Sequence, residues 1–244
     1  MTVHSLDDSR RRTSGYNHES FQLRRQTLRW LLRVIGVPLL AKVDQVDGIK
    51  NVPSTGSAIL LINHIAFIDP IVVLHLLPRN IIPLAKVEVY DYPMVGIFPK
   101  IWGVIPVKRE EVDRHAVQSC LEVLRAGEII LVAPEGTRGP ALKQGREGVA
   151  YLGSRSGAPV IPVAIDGTEG FPALRYTRRW RQPGAHIRFG RPFRYHADLN
   201  RSKAQTLRQM TDEAMYVLAG LLPEYRRGVY ADLSKATQET FEWL

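Results

Sequence analysis

The stretch AILLINHIAFIDP, residues 58–70, decides how the rest of the chain is read. Its first five residues, Ala58 through Ile62, are aliphatic without interruption, the length and composition of a strand buried on both faces. The run stops at Asn63 and His64, and Asp69 and Pro70 follow after a short turn. An aspartate before a proline is an ordinary way to open a helix, as a polar cap followed by a ring that fits the first turn. A histidine is also the usual general base near neutral pH, and it works best when a carboxylate fixes its tautomer and steadies the imidazolium. At this spacing His64 and Asp69 do not stack on one straight helix face, but they can meet across a tight loop leading into a helix. The residues alone leave both readings open.

Outward from this stretch, apolar runs and periodic segments alternate. Residues 71–77 read as a short apolar helix and 81–85 as a strand. A further strand, 103–107, is reached through the connection DYPMVGIFPKIW. Residues 112–126 alternate as a helix should, with Gly127 as the stop. Strands follow at 129–133 and 160–165, separated by a helix at 147–155. An edge strand at 187–189 and a second amphipathic helix at 202–222 complete the pattern. This alternation argues for an α/β fold, a largely parallel sheet flanked by helices, with an N-terminal amphipathic helical segment. The expected organisation is a disordered basic tail over 1–20, the helical segment over 21–45, and an α/β domain over 46–244.

A chain of 244 residues suits one sizeable domain with extensions. Its 45% hydrophobic and 23% charged residues exclude wholesale disorder. The 33 Lys and Arg against 24 Asp and Glu give a net charge of +9, which concentrates anions near the surface. Nucleic acid, anionic lipid headgroups and phosphorylated substrates all fit that charge. No nucleic-acid motif and no aromatic–basic interleaving supports the first. The single cysteine, Cys120, excludes an internal disulfide. Residues 1–20 lack the apolar core of a secretory signal, and no stretch approaches the roughly twenty apolar residues of a membrane span.

The segment FQLRRQTLRWLLRVIGVPLLAKV, residues 21–43, interleaves Arg24, Arg25, Arg29 and Arg33 with Leu28, Trp30, Leu31, Leu32, Val34 and Ile35. On a helix Arg25, Arg29 and Arg33 share one face, and Leu28, Leu31, Leu32 and Ile35 share another. Pro38 should end or kink that helix. Lying at a membrane surface and packing on the domain demand the same periodicity.

Polar residues gather where the strands end, the edge at which α/β sheets bind ligands. GVIPVKRE places Lys108 and Arg109 after one strand, and an arginine there can grip a phosphate in a fixed fork. LVAPEGTRGP runs a buried strand into Glu135, Gly136, Thr137 and Arg138. Gly136 lets the backbone turn and expose N–H groups, and Thr137 and Arg138 add donors for an anion. GAPVIPVAIDG is a strand flanked by Pro159 and Pro162 that reads as structural, with its end able to wall a pocket.

Taken in order, these segments resemble the His-x4-Asp family of glycerolipid acyltransferases, specifically the bacterial 1-acyl-glycerol-3-phosphate acyltransferases. NHIAFID resembles the family's first motif, GVIPVKR the second, PEGTRG the third and VIPVAI the fourth. AKVEVYDYPMVG, with Lys86, resembles the segment after the second core strand. The ordered match covers about half of the chain, from about Val46 to Ile165. It departs from common patterns at Ala133, where Phe is frequent, at Gly139, where Ser is frequent, and at Lys108, where an acidic residue is common.

The resemblance implies transfer of a fatty acyl group from acyl-CoA or acyl carrier protein to a lysophosphatidate-type lipid, without a resident metal or cofactor. It implies that His64 deprotonates the acceptor hydroxyl and that Asp69 orients His64. It implies that Lys86, Arg109, Glu135, Gly136, Thr137 and Arg138 form the phosphate site. It makes the N-terminal segment, through Arg25, Arg29, Trp30, Leu31 and Arg33, a contact with an anionic membrane surface, and the protein a peripheral one on the cytoplasmic face. The rival expectations are a different lysolipid acceptor and a non-catalytic membrane-binding protein of the same fold.

Overall fold

The computed structural model describes residues 16–93, 96–108, 113–197, 199 and 203–244. An N-terminal helical run opens it. After a 3-10 turn at His18–Phe21 come α1 (Gln22–Leu31), a π-helical turn (Leu32–Gly36) and α2 (Val37–Leu40). Strand β1 (Val43–Asp47) then leads to β2 (Ala58–Ile62), α3 (Asp69–Leu76), β3 (Ile81–Lys86), α4 (Ile97–Trp102) and β4 (Ile105–Val107). The middle of the chain supplies α5 (Arg114–Arg125), β5 (Ile129–Val132), α6 (Gly148–Ser156) and β6 (Val160–Asp166). The last elements are β7 (Ala185–Phe189), β8 (Phe193–Tyr195), α7 (Ala204–Leu221) and β9 (Phe241–Trp243).

All the strands join one sheet, whose main path runs β1-β7-β6-β2-β5-β3-β4, with β8 and β9 continuing from β6. The five strands from β4 to β6 along this path are mutually parallel, and β7 runs antiparallel to β6. The loops after β2, β3, β4, β5 and β6 therefore open on one edge of the sheet. The expected largely parallel sheet between helices is what the chain forms.

The central strands alternate their side chains between two cores, as a period of two dictates. Ile59 and Leu61 of β2 point into one core with Val123, Ala150 and Leu218 of α5, α6 and α7. Ala58, Leu60 and Ile62 point into the other with Val37 of α2 and Val72 of α3. Every residue of β2 is fully buried, which explains why its sequence carries no polar alternation.

The N-terminal half of the organisation needs correction. Residues 1–15 of the expected tail lie outside the described residues, but 16–20 are part of the fold. Tyr16 hydrogen-bonds Gly103 O and receives Arg25 Nη2 at 2.6 Å. The boundary at 45/46 falls inside β1, whose residues pair in parallel with β7. Of the two outcomes expected at Pro38, the helix does not end there but is interrupted just ahead of it. The turn ahead of it widens to a π-turn, and the proline then occupies the first turn of α2, where its missing N–H costs nothing.

Within the expected membrane stripe, the buried end belongs to the fold. Arg25 is fully buried, and its guanidinium donates to Trp102 O at 2.7 Å and to Gly103 O at 3.2 Å. These are the last carbonyls of α4, an acceptor cluster at the negative end of a helix dipole. Arg29 is half-buried and reaches Asn80 Oδ1 at 3.3 Å, and Arg33 reaches His75 O at 3.4 Å. Arg25 therefore cannot touch a lipid headgroup, and Arg29 is engaged with the domain. Arg33 remains exposed, together with Trp30, Leu31, Val34 and Ile35. Among the described residues no helix is long and apolar enough to cross a membrane.

Candidate active site

The opening stretch folds as β2, a tight loop and α3. Asn63 ends the strand and holds it. Its amide donates to Ile165 O at 2.8 Å and its oxygen accepts from Ile165 N at 2.8 Å, extending the β2–β6 ladder by a side chain. His64 is thereby fixed at the ligand edge of the sheet.

Asp69 does not cap α3 with its side chain. It is the first helical residue, and its fully buried carboxylate turns back over the loop. Oδ2 accepts from Ile65 N at 2.7 Å and Ala66 N at 2.8 Å, and lies 2.9 Å from His64 Nδ1. Oδ1 accepts from the hydroxyl of Thr168 at 2.5 Å. A carboxylate facing Nδ1 assigns the ring proton to that nitrogen, which leaves Nε2 with a lone pair. The His64 side chain keeps 21% of its surface exposed while Asp69 keeps none. The dyad thus has a closed, hydrogen-bonded end and an open, basic end.

The loop after β5 grips the backbone of His64. Glu135 is buried, and its Oε1 accepts from His64 N at 3.3 Å while Oε2 accepts from Lys143 N at 2.9 Å. Gly139 N donates to His64 O at 2.9 Å. The turn that makes this possible is tight, closed by Gly136 N to Ala133 O at 3.1 Å, with Gly136 at a φ of 68°. Burial pushes the Glu135 carboxyl above the usual carboxylate range, and the N–H groups of Lys143 and His64 offset part of that push. Both of its oxygens are committed to the loop, which corrects its expected place among phosphate contacts. Replacing Glu135 with Ala removes the acceptor of two partly buried backbone donors, at about 1–1.5 kcal/mol each. The expected outcome is a thermal midpoint lower by roughly 4–12 °C, checked by calorimetry.

The remaining cations sit around this rim. Thr137 and Arg138 are exposed, and Lys143 Nζ reaches Thr137 Oγ1 at 3.3 Å and Arg138 O at 3.5 Å. Lys86 ends β3, half-buried, in register with Val107 of β4, so it borders the exposed Lys108. Arg109 lies outside the described residues. Cys120 is buried in α5, and burial pushes its thiol up to about 12, so it is no nucleophile.

Three contributors escaped the sequence reading. Thr168, two residues beyond β6, completes the shell of Asp69. Lys143 adds a cation beside Arg138. Arg226 braces the site from the C-terminal segment, donating to Asp166 Oδ1 at 2.8 Å, to Pro140 O at 2.7 Å and to Glu169. It ties the Thr168 loop to the Glu135–Arg138 loop. Burial raises the Asp166 carboxyl, but the bonds from Tyr225 and Arg226 outweigh it and hold the group low. Concave surfaces of about 500 and 270 Å³ lie against α7, and neither includes His64.

Comparison with known proteins identifies the family and the fold. The family model described as Acyltransferase matches residues 44–166, the span that carries every strand end just described. A 1-acyl-sn-glycerol-3-phosphate acyltransferase of Borreliella burgdorferi is 28% identical over 156 residues, 62% of this chain and 60% of the relative. One from Bacillus subtilis is 30% identical over 122 residues, covering 48% of this chain and 60% of the relative. The chain thus spans about 60% of the length of these bacterial relatives. Among solved structures, the Thermotoga maritima 1-acyl-sn-glycerophosphate (LPA) acyltransferase, PlsC, shares the fold. Its TM-score is 0.57 at 24% identity, over 81% of this chain and 79% of that one.

Proposed function

This chain belongs to the Acyltransferase family, whose model spans half of it, and from that premise we propose that it moves a fatty acyl group from a thioester donor to the free hydroxyl of 1-acyl-glycerol 3-phosphate. The product is phosphatidic acid, and the donor is acyl-CoA or acyl carrier protein. The observation that carries this reading is the 2.9 Å contact between His64 Nδ1 and a buried, four-donor aspartate at the open edge of the sheet.

Nε2 of His64 takes the proton of the acceptor hydroxyl as its oxygen attacks the thioester carbonyl. The C–S bond then breaks, and the imidazolium returns the proton to the departing thiolate. Asp69 stabilises the imidazolium in between. A thioester is reactive enough that positioning and base catalysis suffice, and no protein nucleophile is needed. Arg138, Lys86, Thr137 and the backbone at Gly136 supply cationic and hydrogen-bonding groups for the acceptor phosphate, and the sequence motif assigns Arg109 to the same role. The exposed Trp30 and Leu31 serve a peripheral contact with the cytoplasmic face of a membrane, from which the lipid acceptor is drawn.

The testing experiment offers lysophosphatidate, lysophosphatidylcholine and monoacylglycerol to the purified protein with each donor. Lysophosphatidate is the expected preferred acceptor. Arg138→Ala should lower kcat/KM for lysophosphatidate by about 10- to 100-fold, the worth of a charge-assisted hydrogen bond, and leave monoacylglycerol unchanged. Equal losses on both acceptors, or none on either, would remove the phosphate assignment. A preference for a larger headgroup would keep the transferase and change its acceptor. An intact dyad without turnover of any lysolipid would favour the non-catalytic reading.

A further inference from the structure

We infer that the long loop joining β6 to β7, residues 167–184, is a second membrane-docking element, which binds an anionic bilayer beside the exposed face of the N-terminal helices. The inference rests on the acyltransferase reading and deepens it, because it says how the active-site edge meets its lipid.

The loop leaves β6 at the same sheet edge as His64, and its Thr168 belongs to the shell of Asp69. Its base is built rigidly. Arg179 donates to Gly167 O at 2.6 Å, Glu169 O at 2.6 Å and Pro183 O at 2.8 Å, and its guanidinium lies 4.0 Å from the ring centre of Phe171. Trp180 packs edge-on to Phe171 and donates to Ala173 O at 2.7 Å. A loop held this firmly could bury its apolar residues, yet Leu174 is 58% exposed and Tyr176 is 84% exposed. Tyr176 also holds a left-handed φ of 74°, an uncommon conformation for a bulky residue and one that concentrates at functional surfaces.

The neighbours identify the occupant. Ala173 N donates to Leu40 O at 2.8 Å and Arg175 N to Leu39 O at 2.9 Å, so Leu174 lies directly beside the end of α2. The exposed Leu39, Ile35, Val34 and Trp30 continue the same apolar surface along the helices. Arg175, Arg178 and Arg181 are exposed on the loop and have no salt-bridge partner among the described residues. Apolar tips ringed by cations match the boundary between acyl chains and anionic headgroups. The charge also suits an acidic carrier protein, but the continuity with a long apolar helical face favours the bilayer.

The full chain is tested by co-sedimentation with phosphatidylglycerol-containing vesicles and with pure phosphatidylcholine vesicles. Two variants are compared, Leu174→Glu with Tyr176→Glu, and Arg175→Glu with Arg178→Glu and Arg181→Glu. Both should bind the anionic vesicles at least tenfold more weakly than the parent, with thermal midpoints unchanged. Activity on a short-chain, monomeric lysophosphatidate should also be unchanged. Unaltered vesicle affinity in both folded variants would overturn the inference. So would unaltered vesicle affinity combined with lost turnover of acyl carrier protein, which would assign the loop to the carrier. If one variant unfolds, the other decides. Absence of turnover in the parent would count against the acyltransferase reading, while the vesicle result would still judge the loop.

Discussion

His64→Ala should reduce acyl transfer by about a hundred- to ten-thousand-fold, the usual contribution of a positioned general base. The loss should fall on kcat, because the ring acts on a proton that moves only during reaction. The fold should survive. The histidine side chain is partly exposed, and its removal leaves Asp69 still bonded to Ile65 N, Ala66 N and Thr168. Circular dichroism and a thermal midpoint within a few degrees of the parent establish that control. A folded variant with parental kcat would remove His64 from the chemistry.

Asp69 should behave differently, because it serves the fold as well as the dyad. Asp69→Ala strands two backbone N–H groups and a hydroxyl in a buried site, at about 1–3 kcal/mol each. Roughly 3 kcal/mol or more should go, lowering the thermal midpoint by about 6 °C or more. Asp69→Asn separates the two duties. Its amide oxygen can occupy the place of Oδ2 and keep the three donors there, and its NH2 can face the oxygen of Thr168. What it loses is the negative charge opposite the imidazolium, so kcat should fall by about 10- to 100-fold with a smaller loss of stability. Equal activity in the Asn variant and the parent would reduce Asp69 to a loop fastener.

Much of this architecture was legible in the sequence where burial is complete. The all-aliphatic β2 and β5, the largely apolar β6 and the amphipathic α5 and α7 declare themselves by composition and period. Strand β1 does not, because it lies at the edge of the sheet and none of the residues of its VDQVD is fully buried. Helix α4 has six residues with Pro99 among them and reads as a connection. Strands β8 and β9 have three residues each, too few to show a period.

The site divides in the same way. His64 and Asp69 were legible because they lie five residues apart. Thr168 reaches Asp69 from 99 residues away and Arg226 reaches Asp166 from 60, and no local pattern announces such partners. The N-terminal arginines teach a sharper lesson. Helical periodicity placed Arg25, Arg29 and Arg33 on one face but could not say which way that face turned. The direction is set by the carbonyls at the end of α4, which satisfy a buried guanidinium, and it leaves Trp30 and its apolar neighbours outside.

The central claim is direct acyl transfer to a lysophosphatidate hydroxyl by the His64–Asp69 dyad, and the fate of a labelled acyl group tests it most directly. The protein is mixed with acyl-labelled acyl-CoA, or with acyl-labelled acyl carrier protein, first alone and then with lysophosphatidate. The expected result is no label retained on the protein before the acceptor is added, and rapid appearance of labelled phosphatidate afterwards. A stable labelled acyl-protein that forms without acceptor, or no labelled phosphatidate with either donor, would contradict it.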